Sequence, residues 1–182
     1  MSKYDRPKTA YLLVDGYNII HAWDDLREIV ENSSLEDARD KLLRILSNYQ
    51  GAKGLARGTV IVVFDAHKVV GGAGSVQTYG GLSVVYTAEA ETADHYIERT
   101  AAVYVKNRCT VTVATSDSLE QVIIMGAGAQ RLSARELLID VKAAEKETSA
   151  RIDARRPVKQ NRLMEHFDES VLDWFEEMRR KS

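Results

Sequence analysis

Cysteine is almost missing from this chain: Cys109 is the single one among 182 residues. An internal disulfide is excluded, and the composition fits a reducing, cytoplasmic setting. Cys109 opens the apolar-rich run CTVTVAT, where a buried structural thiol is the simplest reading. Four scattered histidines beside one cysteine exclude a structural zinc site of the usual spacing. No apolar run approaches the ~20 residues that a membrane helix needs, so no membrane partner is expected. The opening MSKYDRPKTA has no apolar core, and no secretory signal is expected there. A basic excess is missing too: 25 Lys and Arg stand against 27 Asp and Glu, a net charge of −2. A nucleic-acid partner normally leaves a basic footprint, so any such patch has to be local. The glycine-rich stretch 71–81 contains no G-x-G-x-x-G and no G-K-[ST] follows it, so no nucleotide cofactor is expected.

What is present reads as one globular domain over 1–148, followed by a basic linker and an amphipathic helix over 149–182. Four apolar, β-branched runs stand out: YLLVD (11–15), TVIVVFD (59–65), LSVVYT (82–87) and CTVTVAT (109–115). Each is short and nearly continuous, the pattern of strands buried on both faces of a parallel sheet. A shorter fifth strand is read around 129–132. Helical spacing lies between the runs. Ser33-Ser34-Leu35-Glu36 can form a capping box, with Leu35, Ala38, Leu42, Ile45, Leu46 and Tyr49 behind it. Residues 92–106 read as a helix. Ser118–Gln121 and Ser133–Glu136 are two more capping boxes. Alternating strands and helices predict an α/β fold with a mostly parallel sheet.

In such a sheet, ligands bind beyond the carboxyl ends of the strands. The first run ends in Asp15, the second in Asp65, and the fourth in Thr115-Ser116-Asp117. The third is followed by a helix carrying Asp94 in its first turn or so. Asp15 invites a question, because a buried charge is costly unless something pairs with it. Four acids converging at one edge would repel, and at least one pKa should rise. Mg²⁺ or Mn²⁺ would neutralise them, since oxygen-only ligands suit these ions. Such ions activate water and stabilise the leaving oxygen of a phosphodiester. Asn18 could orient a phosphate or a water at the metal. Each acid also has a plainer role. Asp117 can cap a helix beginning near Ser118, Asp94 can favour a helix dipole, and Asp65 can pair with His67 or an arginine. Asp15 has no such alternative in the sequence, because Gly16 and Tyr17 do not open an obvious capped helix.

The segments V14-D-G-Y-N-I-I20, V63-F-D-A-H67, E91-T-A-D-H-Y-I-E98, V113-A-T-S-D117 with Glu120-Gln121, and S133-A-R-E-L-L138 together resemble the YacP-like branch of NYN-domain proteins, within the PIN-like nuclease superfamily. They run from about residue 10 to 145. The resemblance implies a PIN-like three-layer α/β/α fold and metal-dependent endoribonuclease activity. It places catalytic or metal roles on Asp15, Asp94 and Asp117, with Asn18, Asp65 and Ser116 supporting. Glu91 is an acid behind these ligands or an extra ligand.

The remaining motifs are weighed against that expectation. Residues 71–81 read as a surface connection, or as a mobile loop that closes over RNA with Tyr79 stacking on a base. Arg151, Arg155, Arg156, Lys159 and Arg162 form a basic stretch that is either an RNA or ribosome contact or a solvated helix end. Arg39 points to the cleft or pairs with Glu36 or Asp40 on the surface, the surface being the simpler reading. Trp174 and Phe175 belong to an amphipathic helix over 169–180. His21, His67 and His95 are minor candidates for proton transfer. The expectation is a cytoplasmic Mg²⁺- or Mn²⁺-dependent endoribonuclease acting on single-stranded RNA, messenger RNA in the first place, with the ribosome as a partner that presents it. The rivals are a non-catalytic RNA-binding module and a small-molecule phosphatase or nucleotidase. A DNA flap nuclease ranks last, because no segment resembles a helical arch or helix-hairpin-helix.

Overall fold

A computed structural model describes residues 9–53, 58–65, 74–117, 126 and 128–155. In chain order the elements are β1 (Ala10–Asp15), α1 (Gly16–Ala22), α2 (Asp24–Asn32), α3 (Leu35–Lys53), β2 (Thr59–Phe64), β3 (Val76–Tyr79), β4 (Leu82–Tyr86), α4 (Ala93–Lys106), β5 (Thr110–Ala114), β6 (Gln130–Leu132) and α5 (Ala134–Arg155). The strands form one sheet in the order β3-β4-β2-β1-β5-β6. Every pairing is parallel except β3 with β4.

The near-continuous apolar strands have the physical reason expected of them. Side chains alternate across a strand, and both faces are covered. Leu12, Val14, Val60, Val62, Phe64, Leu82 and Val84 pack on one side with residues of α1, α2, α3 and α5. Leu13, Ile61, Val63, Val85, Val111 and Val113 pack on the other with Ala93, Ile97 and Ala101 of α4. The result is the three-layer α/β/α arrangement with a mostly parallel central sheet. No helix among the described residues is long and apolar enough to cross a membrane.

Several local readings need correction. The 71–81 stretch is more than a loop, because Val76–Tyr79 is a strand. Gly80 (φ +52°) and Gly81 (φ +91°) form a two-residue hairpin turn that sets Tyr79 opposite Leu82. Two consecutive positive φ angles are what Gly-Gly supplies cheaply. Ser47 and Gln50 of α3 donate to the carbonyls of Gly80 and Gly81 and hold the turn. The capping box of α3 lies one residue later than read. The Asp37 N–H donates to Ser34 Oγ (3.0 Å), and both Ser33 and Ser34 hydroxyls donate to the Asp37 carboxylate. The box at Ser133 forms as expected: Ser133 N–H donates to Glu136 Oε2 (2.8 Å) and Glu136 N–H to Ser133 Oγ (3.2 Å). The Ser118 box lies outside the described residues, as does the helix over 169–180.

Residue contacts divide the chain into Met1–Thr148 and Ser149–Ser182. In the second unit the described residues are the end of α5, so Arg151–Arg155 continues that helix, as the helix-end reading has it, and is not linker. Arg151, Ile152 and Asp153 are exposed there.

Gly16 sits where β1 turns into α1. A Cβ at this position would lie 2.2 Å from the ring of Phe64. Gly16→Ala is therefore expected to destabilise the protein by about 1–3 kcal/mol through overpacking, read as a lower urea midpoint. A variant as stable as the parent would show that α1 shifts freely.

Candidate active site at the carboxyl edge of the sheet

The parallel register brings β1, β2, β4 and β5 to a common edge. Asp15 lies level with Val63, and Val14 with Ala114. β1 also sits where the chain switches from building one side of the sheet to building the other, the place where such sheets bind ligands.

Asp15 is buried, with 7% of its surface exposed. The structure gives it the capping role that the sequence hid: Asn18 N–H donates to Asp15 Oδ1 (3.0 Å), making Asp15 the N-cap of α1. The cap does not remove the cost of the charge. Burial pushes the Asp15 pKa up to about 6. The backbone N–H groups of Asn18 and Tyr17 pull it down, while Asp94 pushes it up by charge and through a carboxyl–carboxyl hydrogen bond. Asp94 thus acts on Asp15, but burial contributes more to the raised pKa than repulsion between acids does.

Asp94 is exposed, the second residue of α4. It does not cap that helix. Thr92 does so, its Oγ1 accepting from His95 N–H (3.3 Å), so the Asp94 carboxylate is left to face Asp15. Glu91 is engaged elsewhere: its Oε1 accepts from Arg99 Nη2 (2.7 Å) and Nε (3.3 Å). This pair ties the segment before α4 to the helix itself.

Asn18 clamps two strand ends together. Its Oδ1 accepts from Ser116 N–H (2.6 Å), joining α1 to the loop after β5. Ser116 and Asp117 are exposed on that loop, and Asp117 N–H donates to the buried Thr115 hydroxyl (3.1 Å). Asp65 follows the last residue of β2 and is half-buried. Its charge reaches the phenol of Tyr17, adding to the upward push that burial exerts there. His67, its expected partner, lies outside the described residues. Among the described residues no three of His, Cys, Asp and Glu are grouped closely enough to hold a metal ion.

One expected RNA contact lies away from the acids. Tyr79 pairs with Leu82, the first residue of β4, and so sits at the amino end of the sheet, opposite the acid pair. Arg39 is half-buried, with 12% of its side chain exposed, and it makes the expected pair with Glu36 as well as a bond to Tyr17. Its Nη1 donates to Tyr17 Oη (3.2 Å), and Glu36 is a looser partner at 3.9 Å. Arg151 is exposed on α5, the Arg155 side chain is not described, and Arg156, Lys159 and Arg162 lie outside the described residues. Tyr17 was passed over in the sequence, although its place two residues after Asp15 was a signal. A cavity of about 290 Å³ lined by Trp23, Leu26, Lys41, Ile45, Leu138 and Val141 among others contains none of the candidate site residues.

The fold, a mostly parallel sheet with acids at its carboxyl edge, defines a PIN-like, nuclease-type domain. The model of the YacP-like NYN domain family matches residues 12–180, and the chain belongs to that family. The match extends beyond the motifs quoted above, which end near residue 145. The chain is 43% identical to the uncharacterized protein YacP of Bacillus subtilis over 172 residues, 93% of this chain and 96% of that one. Among solved structures it is similar to Rae1 (YacP) from Bacillus subtilis, with 42% identity, a TM-score of 0.67, and coverage of 94% of this chain and 95% of that chain. A tryptophan-to-leucine variant of Rae1 matches with 39% identity and a TM-score of 0.67, covering 85% and 91% of the two chains.

Proposed function

We propose that this protein is a cytoplasmic Mg²⁺- or Mn²⁺-dependent endoribonuclease that cleaves single-stranded RNA, messenger RNA in particular. The observation that carries this reading is the Asp15–Asp94 pair at the carboxyl edge of β1. Burial opposes the charge of Asp15, and the charge of Asp94 adds to that push. The residues suit a hard divalent cation: they are oxygen donors, and their repulsion is what a cation would relieve. Asp15 and Asp94 would hold it, with Asp117 as a further carboxylate on the same edge. Such an ion supplies Lewis acidity, lowering the pKa of water and offsetting charge on the phosphodiester oxygens.

The chain's own residues do the rest by positioning. The cap on Asn18 N–H fixes one Asp15 oxygen. Asn18 holds the Ser116 backbone and with it the approach of Asp117. Thr92 and the Glu91–Arg99 pair set where α4 starts, and so where Asp94 stands. Asp65 adds negative charge at the end of β2. The test is cleavage of labelled RNA with Mg²⁺ or Mn²⁺ by wild type and Asp94→Asn.

A basic C-terminal stretch on a chain of net charge −2 supports a docking role for 151–182, with the ribosome presenting the substrate. Deleting 151–182 is expected to weaken co-sedimentation with ribosomes while the melting temperature holds. Unchanged sedimentation would refute that role.

A further inference from the structure

The carboxyl edge is acidic, yet a strand of RNA is a polyanion. Something at this edge has to meet phosphate. Arg39 reaches the edge from α3. Its Nη1 donates to the hydroxyl of Tyr17, two residues beyond Asp15. The Tyr17 ring packs edge-on against Phe64, with centroids 5.1 Å apart, and Phe64 stacks on Tyr86 at 5.8 Å. Phe64 and Tyr86 are the last residues of β2 and β4. The guanidinium is thus tied, through Tyr17 and Phe64, to the ends of β2 and β4, with Asp94 at the start of α4 on the other layer.

Its bonding is incomplete. A guanidinium carries five N–H donors. Among the described residues Arg39 makes one hydrogen bond, to a neutral phenol at 3.2 Å, and one ion pair at 3.9 Å, beyond hydrogen-bond length. Glu36, the partner in that pair, is 78% exposed and largely solvated. A charge that is 12% exposed costs free energy unless it is compensated. Tyr17 anchors Nη1, and Nε and Nη2, the latter with Glu36 only at 3.9 Å, keep N–H groups for an anion. A forked donor of this kind fits the oxygens of a phosphate.

We infer that Arg39 is a phosphate-binding residue for the RNA strand, holding a backbone phosphate at the carboxyl edge that also carries Asp15 and Asp94. This rests on the nuclease reading above and adds the group that seats the strand.

The test uses the full chain carrying Asp94→Asn, without divalent ions, and a short fluorescent single-stranded oligoribonucleotide. Affinity is measured by anisotropy across a KCl series, with and without Arg39→Gln. The expected result is about tenfold weaker binding. The slope of log affinity against log salt should also shrink by about 0.7, the share of one phosphate on a single strand. A residue that only supported the fold would leave the slope unchanged, and an unchanged slope overturns the inference. Arg39→Lys guards against misfolding of the glutamine variant. It keeps the charge and loses the fork, so the slope should hold while affinity falls several-fold; affinity equal to the parent's overturns the inference. Cleavage by otherwise wild-type protein is read separately. Cleavage with unaltered binding in both Arg39 variants removes Arg39 and leaves the nuclease. Binding that depends on Arg39 without cleavage by wild type removes the nuclease and keeps the contact. Neither binding nor cleavage removes both.

Discussion

Asp94→Asn is expected to lower metal-dependent RNA cleavage by on the order of a thousandfold or more, the scale on which a preorganised electrostatic group matters to a transition state. Asparagine has the shape of aspartate, and the packing around α4 does not use the Asp94 carboxylate. Thr92 still caps the helix, and Ala93, Ile97 and Ala101 still bury their side chains. The variant should therefore melt close to wild type while losing the charge that faces Asp15. The upward push that the Asp94 charge exerts on the Asp15 pKa would go with it. Single-turnover cleavage in Mn²⁺, followed beside thermal melts, makes the comparison. Equal activity in the two proteins would place the chemistry elsewhere. Silence from folded wild type, with RNA still bound, would favour an RNA-binding module.

Asp15→Asn should make the metal-free protein more stable at neutral pH, and inactive. The Asp15 pKa is about 6 in the folded protein against an ordinary 3.8. Below 3.8 the carboxyl is protonated in both states, and the fold bears no penalty. Between these values the unfolded chain releases its proton while the folded one keeps it, so stability falls as pH rises. Above 6 the loss is complete, about 3 kcal/mol. Asparagine has no proton to release, and its carbonyl can still accept from Asn18 N–H. The gain of the variant over wild type should be small near pH 4 and full by pH 7.5, read as urea midpoints in a chelator. Adding Mg²⁺ should then raise the wild-type midpoint and leave the variant unmoved, because a ligand stabilises only the state that binds it. A wild type as stable as Asp15→Asn at pH 7.5 in chelator would mean that the Asp15 charge is already compensated.

How much of this was legible in the sequence depends on how local the cause is. The four long strands were, because burial on both faces leaves a continuous apolar run. The Ser133–Glu136 box was, because both partners lie within one turn. The short helix after Asp15 was not: Gly16 is a poor helix former, and its place is set by the ring of Phe64 from another strand. β3 was missed because all four residues of Val76–Tyr79 are exposed, so no alternation marks it. The Gly-Gly turn beside it was a usable signal. Ser33 and Ser34 both had an acid three residues on, and Leu35 opening the helix selected Ser34 with Asp37. The Arg39–Glu36 pair was legible because Glu36 is one turn away; the bond to Tyr17 was not, because Tyr17 comes from another helix.

By itself the sequence settled the α/β class, the parallel character of the sheet and the family, since these rest on runs, periods and motifs written along the chain. It also set the acids at the ends of three strands. Which acids meet was decided only by tertiary structure. Asp15 and Asp94 come together because β1 is central and α4 covers the opposite face from α1. The raised pKa of Asp15 follows from burial and from that neighbour, and neither is a property of the residue's own segment. The same holds for Arg39, whose bond to Tyr17 depends on packing that brings α3 against α1, β2 and β4.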